Sequence, residues 1–149
     1  MVGVVGAGEC DAKTVEQARE IGERIARAGA ALVCGGLSGV MAAACQGARE
    51  AGGVTIGVLP GSDRHEANPH VSLAIATGLG YARNYVIINT ADVLIAVGGS
   101  HGTLSEIAFA LKTGKEVIGL NTWEIEGITR ADNPVQAVEL ALQAVDDNP

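Results

Sequence analysis

The segment Gly98-Gly-Ser-His-Gly-Thr-Leu-Ser-Glu106 gathers the residue types that handle anions and protons. It follows an apolar run, Val93 to Val97, and precedes Ile107, Ala110 and Leu111, which recur at i, i+3 and i+4. That order reads as a buried strand, a tight turn, and a helix whose first N–H groups face back over the strand end. Unpaired N–H groups and the positive end of a helix dipole converge there, so the turn suits an anion, a phosphate above all. Gly98, Gly99 and Gly102 let backbone approach a guest closely, while Ser100, His101 and Thr103 add side-chain hydrogen-bonding groups. Glu106 adds a carboxylate one turn further on. Thr103-Leu-Ser-Glu106 is also spaced as a capping box, in which the Glu bonds back to the N–H of the cap residue.

The elements that must position these residues alternate along the whole chain. Strands are predicted over Val2–Val5, Ala31–Cys34, Thr55–Leu59, Leu73–Ala76, Val93–Val97 and Glu116–Leu120. Helices are predicted over Lys13–Ala28, Val40–Ala51, Tyr81–Asn89 and from about Thr103 past Leu111, with a last one from Asn133-Pro134 to Val145. In the first helix Thr14 and Gln17 are spaced as a capping box, and Val15, Ala18, Ile21, Ile25 and Ala28 trace a buried stripe. Pro60–Val71 reads as a long polar loop holding Asp63-Arg-His-Glu66 and His70, a solvated segment or a lid. Asn121–Ala131 reads as an irregular loop and Asp146–Pro149 as a frayed tail.

Apolar, two-sided strands alternating with helices imply an α/β fold: one Rossmann-like three-layer domain over residues 1–149, its parallel sheet covered by helices on both faces. Ligands of such sheets sit beyond the carboxyl ends of the strands. Glycines cluster at those ends: Gly6 and Gly8, then Gly35, Gly36 and Gly39 with Ser38 among them, then Gly98 to Gly102. Three loops from separate strands thus converge on one expected ligand. Gly3-Val-Val-Gly-Ala-Gly8 lacks the third glycine of a dinucleotide fingerprint, which argues against hydride transfer.

Composition narrows the classes further. The chain has 149 residues and a net charge of −7, with only ten basic residues, scattered along it. A basic face for nucleic acid or an anionic membrane is therefore not expected. No apolar run approaches the roughly 20 residues needed to span a bilayer. The start, Met1-Val-Gly-Val-Val-Gly6, reads as a strand and not as a signal peptide, and the three cysteines, odd in number, make the cytoplasm the expected compartment. Cys10, Cys34 and Cys45 form no C-x-x-C and the histidines no ligand spacing, so neither a disulfide framework nor a metal site is expected. Cys34 reads as a small core residue. Trp123 and Tyr81 read as packing or subunit-contact residues that can also stack on a base.

Gly98-Gly-Ser-His-Gly-Thr-Leu-Ser-Glu106 resembles the G-G-x-G-T-x-x-E signature of the LOG-like superfamily, with one residue added before Gly102-Thr103. Gly35-Gly-Leu-Ser-Gly-Val-Met41 is similar to its second glycine motif, and Gly57-Val-Leu-Pro60 to its G-V-I/L-P strand end. The similarity covers nearly the whole chain. Length and motif wording are nearest to the molybdenum-cofactor-carrier-like proteins. That resemblance implies a Rossmann-like protein binding a small phosphate-bearing ligand, the molybdenum cofactor or a nucleoside monophosphate, as a homodimer or homotetramer and with no cofactor required.

The superfamily's other branch hydrolyses nucleoside 5′-monophosphates with the signature Glu and an upstream Arg. Carried over, these are Glu106 and Arg83 of Tyr81-Ala-Arg-Asn-Tyr85. Those hydrolases usually have Lys where this chain has Asn84 and Pro where it has Val97. The leading expectation is therefore a binding protein of the carrier type. A phosphoribohydrolase using Glu106 and Arg83 is the alternative, and a nucleotide-sensing regulatory module a third.

Overall fold

A computed structural model describes residues 1–147. Seven strands, β1 (Val2–Gly6), β2 (Leu32–Cys34), β3 (Thr55–Leu59), β4 (Leu73–Ala76), β5 (Val93–Val97), β6 (Val117–Leu120) and β7 (Ile128–Arg130), form one sheet in the order β4-β3-β2-β1-β5-β6-β7. Every pairing is parallel. Five helices accompany it: α1 (Ala12–Arg27), α2 (Val40–Glu50), α3 (Arg83–Thr90), α4 (His101–Lys112) and α5 (Pro134–Asp147). The α/β Rossmann-like expectation holds.

Central strands are buried on both faces, which is why β5 consists of apolar residues throughout, all fully enclosed. α1, α2 and α5 pack on one face through Ile21, Ile25, Ala44, Cys45, Ala137 and Val138. α3 and α4 cover the other with Ile87, Ile88, Ile107 and Ala110. Small residues let α1 and α2 come very close: a Cβ on Gly22 would lie 1.9 Å from the Ala44 carbonyl oxygen, and one on Gly47 equally close to that of Arg19.

Four local expectations are corrected. α1 is capped by Asp11, whose carboxylate accepts the Thr14 N–H at 2.8 Å, so Thr14 lies inside the helix and no Thr14–Gln17 box forms. Its buried stripe is Ala18, Ile21, Gly22 and Ile25, with Val15 and Ala28 at the exposed margins. Residues 121–131 are not wholly irregular, because Ile128–Arg130 adds β7 to the sheet edge. The expected fraying at 146–149 is not seen at Asp146 and Asp147, which extend α5; residues 148–149 lie outside the described residues.

The strand order reverses between β1 and β5: β2, β3 and β4 follow on one side, β6 and β7 on the other. Loops leaving β1 and β5 therefore part there and open a crevice at the carboxyl ends.

Candidate functional site

β5 ends at Val97, and Gly98 and Gly99 turn the chain into α4 with φ of 56° and 125°. At Gly99 this conformation is one that side chains avoid, and a Cβ there would press to 2.6 Å on the Thr103 side chain. The turn thus seats the Gly pair directly on the first turn of α4. Ser100 is the cap residue, and its carbonyl accepts the first helical bond, from Leu104 N–H at 3.0 Å. The N–H groups of His101, Gly102 and Thr103 precede that bond and have no partner among the described residues. The Thr103 hydroxyl is buried and has no partner among the described residues.

This start corrects the reading of Glu106. Because α4 begins at His101, Thr103 lies within the first turn and cannot be its cap. Glu106 sits a turn deeper, buried, and closes no capping box. Burial pushes its carboxyl up to about 7, against a smaller opposing pull from the Arg83 charge.

Arg83 opens α3 and is likewise buried. Its Nε donates to the Val58 carbonyl at 2.8 Å, one Nη to the Asn84 side-chain oxygen and the other to the Gly35 carbonyl at 3.4 Å. A Cβ on Gly35 would lie 2.7 Å from that guanidinium, so glycine is what makes room for it. Desolvation lowers the Arg83 pKa while the charges of Glu106 and Cys34 raise it. Of the five guanidinium N–H groups, two remain unspent after these contacts.

Glu106 and Arg83 line one cleft of about 200 Å³ at the β1–β5 reversal, together with Gly6, Gly8, Met41, Tyr81, Asn84, Ser100, Gly102 and Thr103. The fold therefore unites Gly8, Arg83, Ser100, Gly102, Thr103 and Glu106. Gly98 and Gly99 shape the turn behind the cleft, and His101 points outward beside Trp123, ring centres 6.1 Å apart. Gly35, Gly36, Ser38 and Gly39, in the loop between β2 and α2, are not among the residues that line the cleft. Ser38 Oγ donates to the Gly8 carbonyl at 2.8 Å, the Gly36 carbonyl accepts the Asn68 N–H at 2.8 Å, and Gly39 leaves no room for a side chain beside Ala7 and Gly8. Sequence reasoning missed Met41 and Asn84. Asn84 carried a usable signal, an amide next to a helix-start Arg that needs an acceptor.

Among the described residues no three His, Cys, Asp or Glu side chains form a metal-ion cluster, and no helix is long and apolar enough to cross a membrane. Cys34 and Cys45 are both buried, their sulfurs 3.5 Å apart behind the glycine loop.

Comparison with known proteins follows the same lines. The molybdenum cofactor binding protein of the phototrophic bacterium Rippkaea orientalis superposes with a TM-score of 0.92 and 38% identity, over 97% of this chain and 96% of that one. The molybdenum cofactor carrier protein of Chlamydomonas reinhardtii gives 0.89 and 36%, over 97% and 98%. An uncharacterized protein of Archaeoglobus fulgidus is 44% identical over 144 residues, 96% of this chain and 95% of its own length. The family model of the SLOG cluster4 family matches residues 1–146. The expected superfamily, LOG-like with a molybdenum-cofactor-carrier-like branch, is upheld, and the chain belongs to the SLOG cluster4 family.

Proposed function

We propose that this protein binds a phosphate-bearing small molecule of the pterin or nucleotide class, with the molybdenum cofactor as the favoured cargo. The observation that carries this reading is the start of α4: three N–H groups and a buried Thr103 hydroxyl, all without a partner among the described residues. A buried, unsatisfied hydroxyl costs about 1–3 kcal/mol, a cost that a phosphate oxygen bonded there would remove. The helix dipole favours the same charge. The likeness to molybdenum cofactor binding and carrier proteins supports the cargo.

Two measurements test it. Inorganic phosphate should raise the melting temperature of the purified protein, and Thr103→Val should raise the phosphate concentration needed for a given shift about tenfold, the value of roughly one hydrogen bond to a charged group. Protein from a host that makes the cofactor should release a fluorescent pterin on oxidation. Absence of both effects defeats the proposal.

A second reading is favoured by one observation, the Glu106 carboxyl near pH 7 in the cleft that Arg83 shares. In a phosphoribohydrolase, water would add to C1′ of the ribose as the N-glycosidic bond breaks. Glu106 would stabilise the oxocarbenium-like centre and take the water proton, Arg83 would polarise the base as it leaves with the electrons of the C1′–N bond, and the proton would then pass to the base nitrogen, giving free base and ribose 5-phosphate. Incubation with AMP, GMP, CMP, IMP and UMP, with chromatography for free base, decides it; release must vanish in Glu106→Gln.

Self-association belongs to the same proposal. The edge strand β4 exposes Leu73 and Ile75, and Leu79, Tyr81, Tyr85 and Phe109 are exposed on the elements that follow. Light scattering should show a dimer or tetramer.

A further inference from the structure

β6 and β7 are parallel neighbours, yet residues 121–127 join them with no helix between. Parallel strands ordinarily need a crossover of a dozen or more residues. Here the short return leaves a crevice of about 350 Å³ between the two strands and the connection. Asn121 starts the return with φ of 51°, the single non-glycine residue with positive φ among those described. Trp123 follows, and its indole N–H is tied to the Ser100 carbonyl at 3.1 Å, which fixes the ring against the α4 start. Ser100 lines the α4 cleft and Trp123 lines the crevice, so this hydrogen bond links the linings of the two cavities.

Size and charge assign them different parts of a ligand. At about 200 Å³ the α4 cleft is smaller than the about 300–1,000 Å³ of sites that enclose whole small ligands, so a ligand whose phosphate is held there extends beyond it. The crevice has room for a bicyclic ring. Its rim is acidic, with Glu124, Glu126 and Asp132 against the single cation Arg130, and so disfavours a second phosphate. Arg130 pairs with Glu124 at 2.9 Å. Glu126 and Asp132 have no ion pair among the described residues.

We propose that the β6–β7 crevice receives a planar 2-amino-4-oxo ring of the pterin or guanine type. The ring lies against Trp123, and its adjacent ring N–H and amino donors meet Glu126 or Asp132. The inference rests on the reading of the α4 start as the phosphate end of the site. Two neighbouring donors match one carboxylate, whereas the adenine edge offers a donor beside an acceptor. Ring choice would thus be made here, away from the phosphate.

Trp123 is the only tryptophan of the chain, so its emission reports on this crevice directly. Pterin and guanosine, both without phosphate, are titrated into the full-length protein and followed by Trp123 emission and by calorimetry. Saturable binding is expected, with adenosine at least about tenfold weaker. Glu126→Gln combined with Asp132→Asn, both exposed positions, should weaken pterin about tenfold or more, while Thr103→Val should leave it within twofold. No saturable change with pterin, equal affinity for adenosine, or an unaffected double variant overturns the proposal. The phosphate reading stands or falls separately, on whether inorganic phosphate stabilises the protein through Thr103.

Discussion

Arg83 Nε donates to the carbonyl of Val58 at 2.8 Å, tying the first residue of α3 to the end of β3. The guanidinium that faces Glu106 is therefore also a brace, and it is held before any ligand arrives. Arg83→Ala strands the Val58 and Gly35 carbonyls and should cost on the order of 3 kcal/mol in urea unfolding. It also removes the charge that restrains the Glu106 carboxyl, whose pKa should then rise above 7, read by carbon NMR of the side chain. Arg83→Lys restores the charge but not the fork, so the titration should recover more than the stability.

Glu106 makes stability fall with rising pH. Its folded pKa of about 7 exceeds the ordinary 4.5, so between these values the folded state holds more protons than the unfolded one. Its contribution is intact below pH 4.5, is lost progressively from there to about 7, and is constant above. Glu106→Gln should match the parent near pH 4.5 and exceed it by up to about 3 kcal/mol at pH 8, at about 1.4 kcal/mol per pKa unit. Denaturant melts across that range check the sign. A parent protein whose stability rises from pH 5 to 7 relative to the variant contradicts it.

Glycines in helices should respond to alanine in opposite ways. Gly22→Ala and Gly47→Ala raise helix propensity by about 1 kcal/mol each, yet both should destabilise strongly. Their Cβ atoms would sit 1.9 Å from a facing backbone oxygen, which only separation of α1 from α2 relieves. A Cβ on Gly102 meets nothing within 4 Å, so Gly102→Ala should be neutral or stabilising in the same thermal melts.

Thiol labelling should be slow everywhere in the folded state. Cys34 and Cys45 are buried, and burial together with the Asp11 charge holds the partly exposed Cys10 thiol above its ordinary pKa. Ellman's reagent at pH 7 should react with Cys10 alone, sluggishly, and with all three cysteines only in denaturant.

Much of this was legible in the chain, because apolar runs buried on both sides declare themselves. The bounds of β3, β4 and β5 follow from Thr55–Leu59, Leu73–Ala76 and Val93–Val97 with their flanking glycines, prolines and polar residues. β7 was not legible: Ile128-Thr-Arg130 is short and half polar, and only its pairing with β6 makes it a strand. Nor was the α4 start. Thr103 and Glu106 satisfy the capping spacing, but Ser100 accepts the first helical bond and sends Glu106 inward. Arg83 shows the same limit. Its local sequence is polar, and the recess that takes its guanidinium is made by Gly35 and Val58, far away along the chain.

The pairing of Val2 with Val93 and of Gly6 with Val97 has a consequence for how the molecule is made. During synthesis β1 emerges first, and one of its edges stays open until some ninety further residues have followed. Until then the nascent chain presents an apolar strand edge of the kind that recruits other chains. A fragment ending before Val93 should therefore aggregate, and the closing of that central seam is the step at which a chaperone or a stalled ribosome would matter most.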